Sequence, residues 1–195
     1  MAGRGETPSQ TVGPYFSMRL GGVGQNVLAP PGVPGERIRI EGMVIDGDGN
    51  HVEDALLEIW QANAGGRYRH PDDIRDEIAL DDGFVGFGRA ETEFATGQYW
   101  FETIKPGPVP DAEGEFQAPH INLVVQARGT LNPMFTRIYF SDEDEVNRQD
   151  QVLGRVPRER RHTLVARLDT GSDSPKLYRF DVRLQGDDET VFFDF

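Results

Sequence analysis

The chain has 195 residues with 33 acidic and 20 basic ones, so its net charge of −13 argues against a nucleic-acid partner and against an anionic ligand unless cations offset that field locally. It has no cysteine, which excludes disulfides, thiolate metal sites and cysteine nucleophiles. Apolar residues at 37% suffice for one packed domain, the 23 glycines and 13 prolines suit short strands and turns, and neither a membrane-length apolar run nor a signal core in MAGRGETPSQ is present, so a cytoplasmic place is expected.

Residues 1–36 read as an N-terminal arm. They hold 13 Gly or Pro and turn pairs such as Gly13-Pro14 and Pro34-Gly35, with Tyr15 and Phe16 as aromatic anchors. From 37 to 195 the texture is that of a β-sandwich domain. Ile38, Ile40 and Val44 alternate with polar residues, and Asp46-Gly47-Asp48-Gly49 is a turn. Ala55–Gln61 forms a second strand. Phe84–Glu93 and Gln98–Ile104 suggest a hairpin about Ala95-Thr96-Gly97. Ile121–Ala127 and Phe135–Phe140 follow as strands. Ser141 with Asp144 resembles a capping box, and Pro157 suits the first turn of a helix running through Leu164 and Leu168. Tyr178 to Leu184 alternates as one clean strand. The tail Thr190–Phe195 carries three Phe in four residues and must dock on the core or a partner. The fold class expected is mostly β, with one or two short helices.

Two clusters carry chemistry. In Pro119-His120-Ile121-Asn122-Leu123, His120 and Asn122 share one strand face and Ile121 and Leu123 the other. Two histidines at that spacing would ligate one metal, but asparagine is a poor ligand, and His120 alone reads better as a hydrogen-bonded core histidine. In Gly66-Arg67-Tyr68-Arg69-His70, flanking cations would lower the phenol pKa, and a phenolate is a hard ligand suited to ferric iron. Without further context Tyr68 reads as a packed loop tyrosine. Gly86-Phe87-Gly88 is too short for a dinucleotide site.

The run IEGMVIDGDGNHVEDALLEIWQANAGGRY, followed in order by TIKPGP and APHIN, resembles the intradiol ring-cleaving dioxygenases. That resemblance implies a β-sandwich and non-haem Fe(III) held by two tyrosines and two histidines. The corresponding positions here are Tyr68, Val109, His120 and Asn122, and a family arginine acting on the bound catecholate corresponds to Gln117. Two ligands and the arginine are replaced, so the resemblance implies a degenerate site that holds no metal and no catalytic residue. TPSQTVGPYF, Ala127-Arg128-Gly129 and ETVFFDF further resemble a two-chain branch of the family, in which a homologous beta chain holds the iron. The branch implies cleavage of 3,4-dihydroxybenzoate by O2 to 3-carboxy-cis,cis-muconate in a hetero-oligomer. This chain's Thr11, Gly13, Pro14, Tyr15 and Arg128 would then line the substrate pocket. An Arg fork suits the substrate carboxylate, although read alone Arg128 is a surface residue at a strand end. A self-sufficient catechol dioxygenase and a non-catalytic sandwich binding module are the competing readings.

Overall fold

Pairing of β-strands begins where the period-two pattern begins. The computed structural model describes residues 24–171 and 175–194. Its strands are β1 (Arg37–Ile45), β2 (Leu56–Trp60), β3 (Phe87–Glu91), β4 (Gln98–Ile104), β5 (Val109–Pro110), β6 (Phe116–Gln117), β7 (His120–Gln126), β8 (Met134–Phe140), β9 (Val165–Asp169), β10 (Lys176–Arg179) and β11 (Val182–Arg183). Two short helices, α1 (Asp144–Gln149) and α2 (Gln151–Arg155), and a 3₁₀ helix over Arg158–Leu164 link β8 to β9. The mostly β class expected from the sequence is what forms.

The strands make two layers joined along one edge. β4, β1, β10 and β9 form one, and β9, β8, β7, β2 and β3 the other. β9 belongs to both: Val165 and Ala166 pair with Tyr139 and Phe140, whereas Leu168 and Asp169 pair with Tyr178 and Leu177. Between the layers lie Ile38, Ile40 and Phe101 on one side and Leu57, Ile59, Ile121, Leu123, Val125 and Ile138 on the other, all buried. Each such side chain contributes about 1.5–3 kcal/mol by leaving water. A smaller cluster of Ala118, Tyr139, Leu153, Val156 and Leu164 covers the outer face of β8.

Residues 24–36 run along β4: Leu28 N–H donates to the Glu102 carbonyl (2.8 Å), and Leu28, Ala29 and Val33 are buried in the main core. The described part of the C-terminal tail docks as its aromatic content requires. Phe193 N–H donates to the Phe135 carbonyl (2.7 Å), and Phe192 and Phe193 pack against the two clusters. No helix of the described residues is long and apolar enough to cross a membrane.

Four local expectations are corrected. Residues 93–98 do turn tightly, with Gly97 N–H on the Glu93 carbonyl at 2.7 Å, but β3 and β4 do not form a hairpin. β3 pairs along its length with β2 and β4 with β1, so the turn carries the chain from one layer to the other. Ser141 is not a cap; its hydroxyl accepts from Leu168 N–H (2.9 Å), and Glu143 at the start of α1 makes no side-chain cap. The segment after Pro157 is 3₁₀ and ends at Leu164, because Val165 onward pairs with β8 and β10. The strand expected over Tyr178–Leu184 is interrupted at Phe180-Asp181. There the Phe180 carbonyl accepts from the buried Tyr99 hydroxyl (2.6 Å), and the Asp181 carboxylate accepts from Met43 N–H (3.0 Å). Gly42 permits this crossing, since a Cβ there would sit 1.7 Å from the Phe180 oxygen.

Candidate functional site

The outer face of the second layer is built by register. Trp60 of β2 pairs with Asn122 of β7, and Asn122 with Arg137 of β8, so these three side chains form one row. His120 and Tyr139 pair in the neighbouring row. The alternation that sends Ile121 and Leu123 into the core therefore sends His120 and Asn122 outward, as the sequence predicts.

The loop after β2 closes over this face. Asn63 organises it: its backbone carbonyl accepts from Gly66 and Gly107 N–H, and its side-chain oxygen from Gly65 and Arg67 N–H. Gly66, at φ +84°, lets the loop touch the Pro108 carbonyl, which a Cβ would approach to 2.1 Å. That contact brings Tyr68 and Val109 to one place. The resulting cavity, about 580 Å³, is lined among others by Trp60, Tyr68, Val109, Gln117, His120, Asn122 and Arg137.

All five positions named for the degenerate site thus meet. The Asn122 amide donates to the Tyr68 hydroxyl (3.1 Å). Burial holds the Tyr68 phenol above its ordinary pKa, and the Asn122 hydrogen bond with the Arg137 and Arg75 charges only partly offsets it. This corrects the lowered pKa expected from Arg67 and Arg69. Those guanidiniums point away, Arg67 to the Ile78 carbonyl and Asp76, Arg69 to the Phe84 and Asp81 carbonyls. His120 Nδ1 donates to the Ala118 carbonyl (2.8 Å), and burial with the Arg137 charge holds the imidazole down to about 4. It is neutral at pH 7, buried and hydrogen-bonded. Gln117 Oε1 accepts from Arg137 Nη1 (2.8 Å).

This donor set does not fit ferric iron. The five positions offer one neutral imidazole and a protonated phenol, and of the other donors lining the cavity Asp73 is held by Arg75 while Asp72 and His70 stand beside each other, both exposed. Val109 has no donor atom, Asn122 spends its amide on the phenol, and a guanidinium stands beside them. Among the described residues no three His, Asp or Glu come together in a metal-holding group.

Arg128 lies elsewhere. It sits in the β7–β8 turn, at the end of β7 opposite His120, 84% exposed and 2.5 Å from Asp54. Eight residues at about 3.3 Å each put it more than about 20 Å from the cavity. Thr11, Gly13, Pro14 and Tyr15 lie outside the described residues. Sequence reading missed Arg137 and Asn63. A β7–β8 pairing in register would have exposed Arg137 as the neighbour of Asn122; nothing local marks Asn63.

A family model described as a dioxygenase matches residues 12–186. The chain is 46% identical to the protocatechuate 3,4-dioxygenase alpha chain of Burkholderia cepacia, over 97% of each chain. The chain belongs to this dioxygenase family. The resemblance read from residues 40–68 is thereby borne out. The same organism's protocatechuate 3,4-dioxygenase beta chain is 38% identical over 80% of this chain and 67% of its own. Among solved structures, the dioxygenase domain of a dioxygenase–carbohydrate-binding fusion from Streptomyces sp. SirexAA-E superimposes with a TM-score of 0.62. It is 26% identical and covers 91% of this chain and 97% of that one. The family uses iron.

Proposed function

We propose that this chain is the alpha-type subunit of a protocatechuate 3,4-dioxygenase, working in the cytoplasm in a hetero-oligomer with a homologous beta chain. The assembly opens 3,4-dihydroxybenzoate between its hydroxyl-bearing carbons, and both atoms of O2 enter the product, 3-carboxy-cis,cis-muconate. One observation carries this reading: full-length identity to an alpha chain coincides with a family cavity whose donors do not fit iron. Iron and the catalytic groups are then the beta chain's. This chain contributes walls and charge. Thr11, Gly13, Pro14 and Tyr15, from the arm over residues 1–36 that precedes the 37–195 domain, line the substrate pocket beside the partner's iron. Arg128 supplies the cation that an anionic substrate needs near a chain of net charge −13. Its exposure and its surface pairing with Asp54 leave the guanidinium accessible to the carboxylate of a substrate held at the partner chain. Exposed Ile74, Phe94, Phe116 and Leu131 supply apolar area for such an assembly.

Co-expression tests it. Produced with a beta chain, the complex should hold one iron per alpha–beta pair and consume O2 with 3,4-dihydroxybenzoate. Produced alone, this chain should be colourless and self-associating. A monomer that binds stoichiometric iron by itself, with a tyrosinate-to-iron absorption band, would overturn the assignment.

A further inference from the structure

Arg137 has no carboxylate within 4 Å among the described residues, in a chain where acidic groups outnumber basic ones. Its Nη1 donates to Gln117 Oε1 (2.8 Å) and to the Tyr139 hydroxyl (3.4 Å), both neutral, and its buried Nε has no partner. A half-buried guanidinium held only by neutral acceptors lacks its usual counter-charge. None of the acidic groups about the cavity pairs with Arg137: Asp73 is taken by Arg75 and by Tyr68 N–H, Asp72 is exposed at the rim 3.6 Å from His70 Nδ1, and Asp150 is taken by Ala118 N–H, Leu153 N–H and the Tyr139 hydroxyl.

The cavity in front of Arg137 is suited to a small ring. Its volume, about 580 Å³, lies within the roughly 300–1,000 Å³ of small-molecule sites. Trp60, Tyr68 and His70 meet at centroid distances of 5.6–6.1 Å and make an aromatic wall, with Ile74 and Val109 also lining the cavity. His120, with Nδ1–H committed to the Ala118 carbonyl, keeps Nε2 as an acceptor for a ligand hydroxyl.

We propose that this cavity binds a small aromatic carboxylate without any metal, the carboxylate pairing with Arg137 and the ring packing on Trp60. Loss of the iron ligands then converted the place into a binding site rather than filling it. The carboxylate supplies the missing counter-charge, and a guanidinium takes it through two parallel N–H donors.

The test uses the chelator-treated full chain, alone and assembled with a beta chain. The probe is 4-hydroxybenzoate, which lacks the paired hydroxyls that chelate iron, and 4-hydroxybenzyl alcohol is its uncharged control. Equilibrium dialysis should show saturable binding of the acid, with quenching of Trp60 fluorescence. The alcohol should bind about ten- to a hundredfold more weakly, the increment of a charged hydrogen bond. Arg137→Gln should lose the same factor and Arg137→Lys part of it, each with parental circular dichroism. In the assembly, the Arg137→Gln variant should bind one acid fewer per alpha chain, and in the same assembly left with its iron ring cleavage should be unchanged. Equal binding of acid and alcohol, an Arg137→Gln variant that binds as the parent does, or no saturable binding to either form would overturn the proposal. Failure to assemble with a beta chain would instead sink the subunit assignment and leave the result on the chain alone standing.

Discussion

Replacing Arg128 by alanine separates a role in substrate binding from a role in folding. The turn that carries Arg128 holds itself together without that side chain. Thr130 N–H and Oγ1 donate to the Ala127 carbonyl at 3.2 and 2.7 Å, and Gly129 takes the positive φ of +88°. At 84% exposure the side chain buries little, and its pair with Asp54 lies at the surface. Such pairs contribute about 0.2–1 kcal/mol, so Arg128→Ala should cost less than about 1 kcal/mol of stability. A charged hydrogen bond to the substrate carboxylate is worth about 1.5–3 kcal/mol. Release from Asp54 subtracts up to about 1 kcal/mol of this, leaving about 0.5–3 kcal/mol. At tenfold per about 1.4 kcal/mol, kcat/KM should fall by more than about twofold and by up to about a hundredfold. Because the contact is present before the reaction begins, the loss should appear in KM rather than kcat. The assay is steady-state O2 uptake by the co-expressed assembly, alongside iron content and a urea unfolding curve. Kinetics within twofold of the parent, in an intact iron-loaded assembly, would refute the reasoning and return Arg128 to the surface.

Two further predictions concern the scaffold of the cavity. Asp150, 2% exposed, caps α2 through Leu153 N–H and holds Ala118 N–H and the Tyr139 hydroxyl, so Asp150→Ala removes a cap and orphans two buried donors. The cost should be about 3–5 kcal/mol, or about 10–15 °C in melting temperature, and a loss below about 1 kcal/mol in urea unfolding would contradict it. The His120 imidazole takes its proton near 6.5 when unfolded but at about 4 when folded, so its contribution is complete above pH 6.5 and is lost as pH falls towards 4, by about 3 kcal/mol. His120→Gln should flatten stability across that window, and parallel pH profiles of parent and variant would refute the assignment.

Particular residues show how far the sequence reached. The division of His120 and Asn122 from Ile121 and Leu123 follows from strand pleat alone, and the structure keeps it. The five positions from Tyr68 to Asn122 were found by their spacing along family motifs, and they meet in one cavity. The hairpin expected at 95–97 failed for a different reason. A turn signal is local, but which strand a neighbour pairs with depends on the longest ladder available. β4 found β1, pairing Gln98 with Met43 and Ile104 with Arg37, rather than β3.

The sequence by itself determined the alternation that makes the layers, the family, and the presence of Val109 and Asn122 where the resemblance would place a tyrosine and a histidine. Those are properties of residue identity and short spacing, which survive any rearrangement at long range. Tertiary structure alone decided the state of what remained. Burial, rather than the arginines on either side, sets the proton on Tyr68, because Arg67 and Arg69 turn to carbonyls of the loop. Arg137 enters the cavity only through the pairing of β8 with β7, fifteen residues from its neighbour Asn122 in the chain. Electrostatic environment is a matter of distance in space, and a local pattern carries no measure of it.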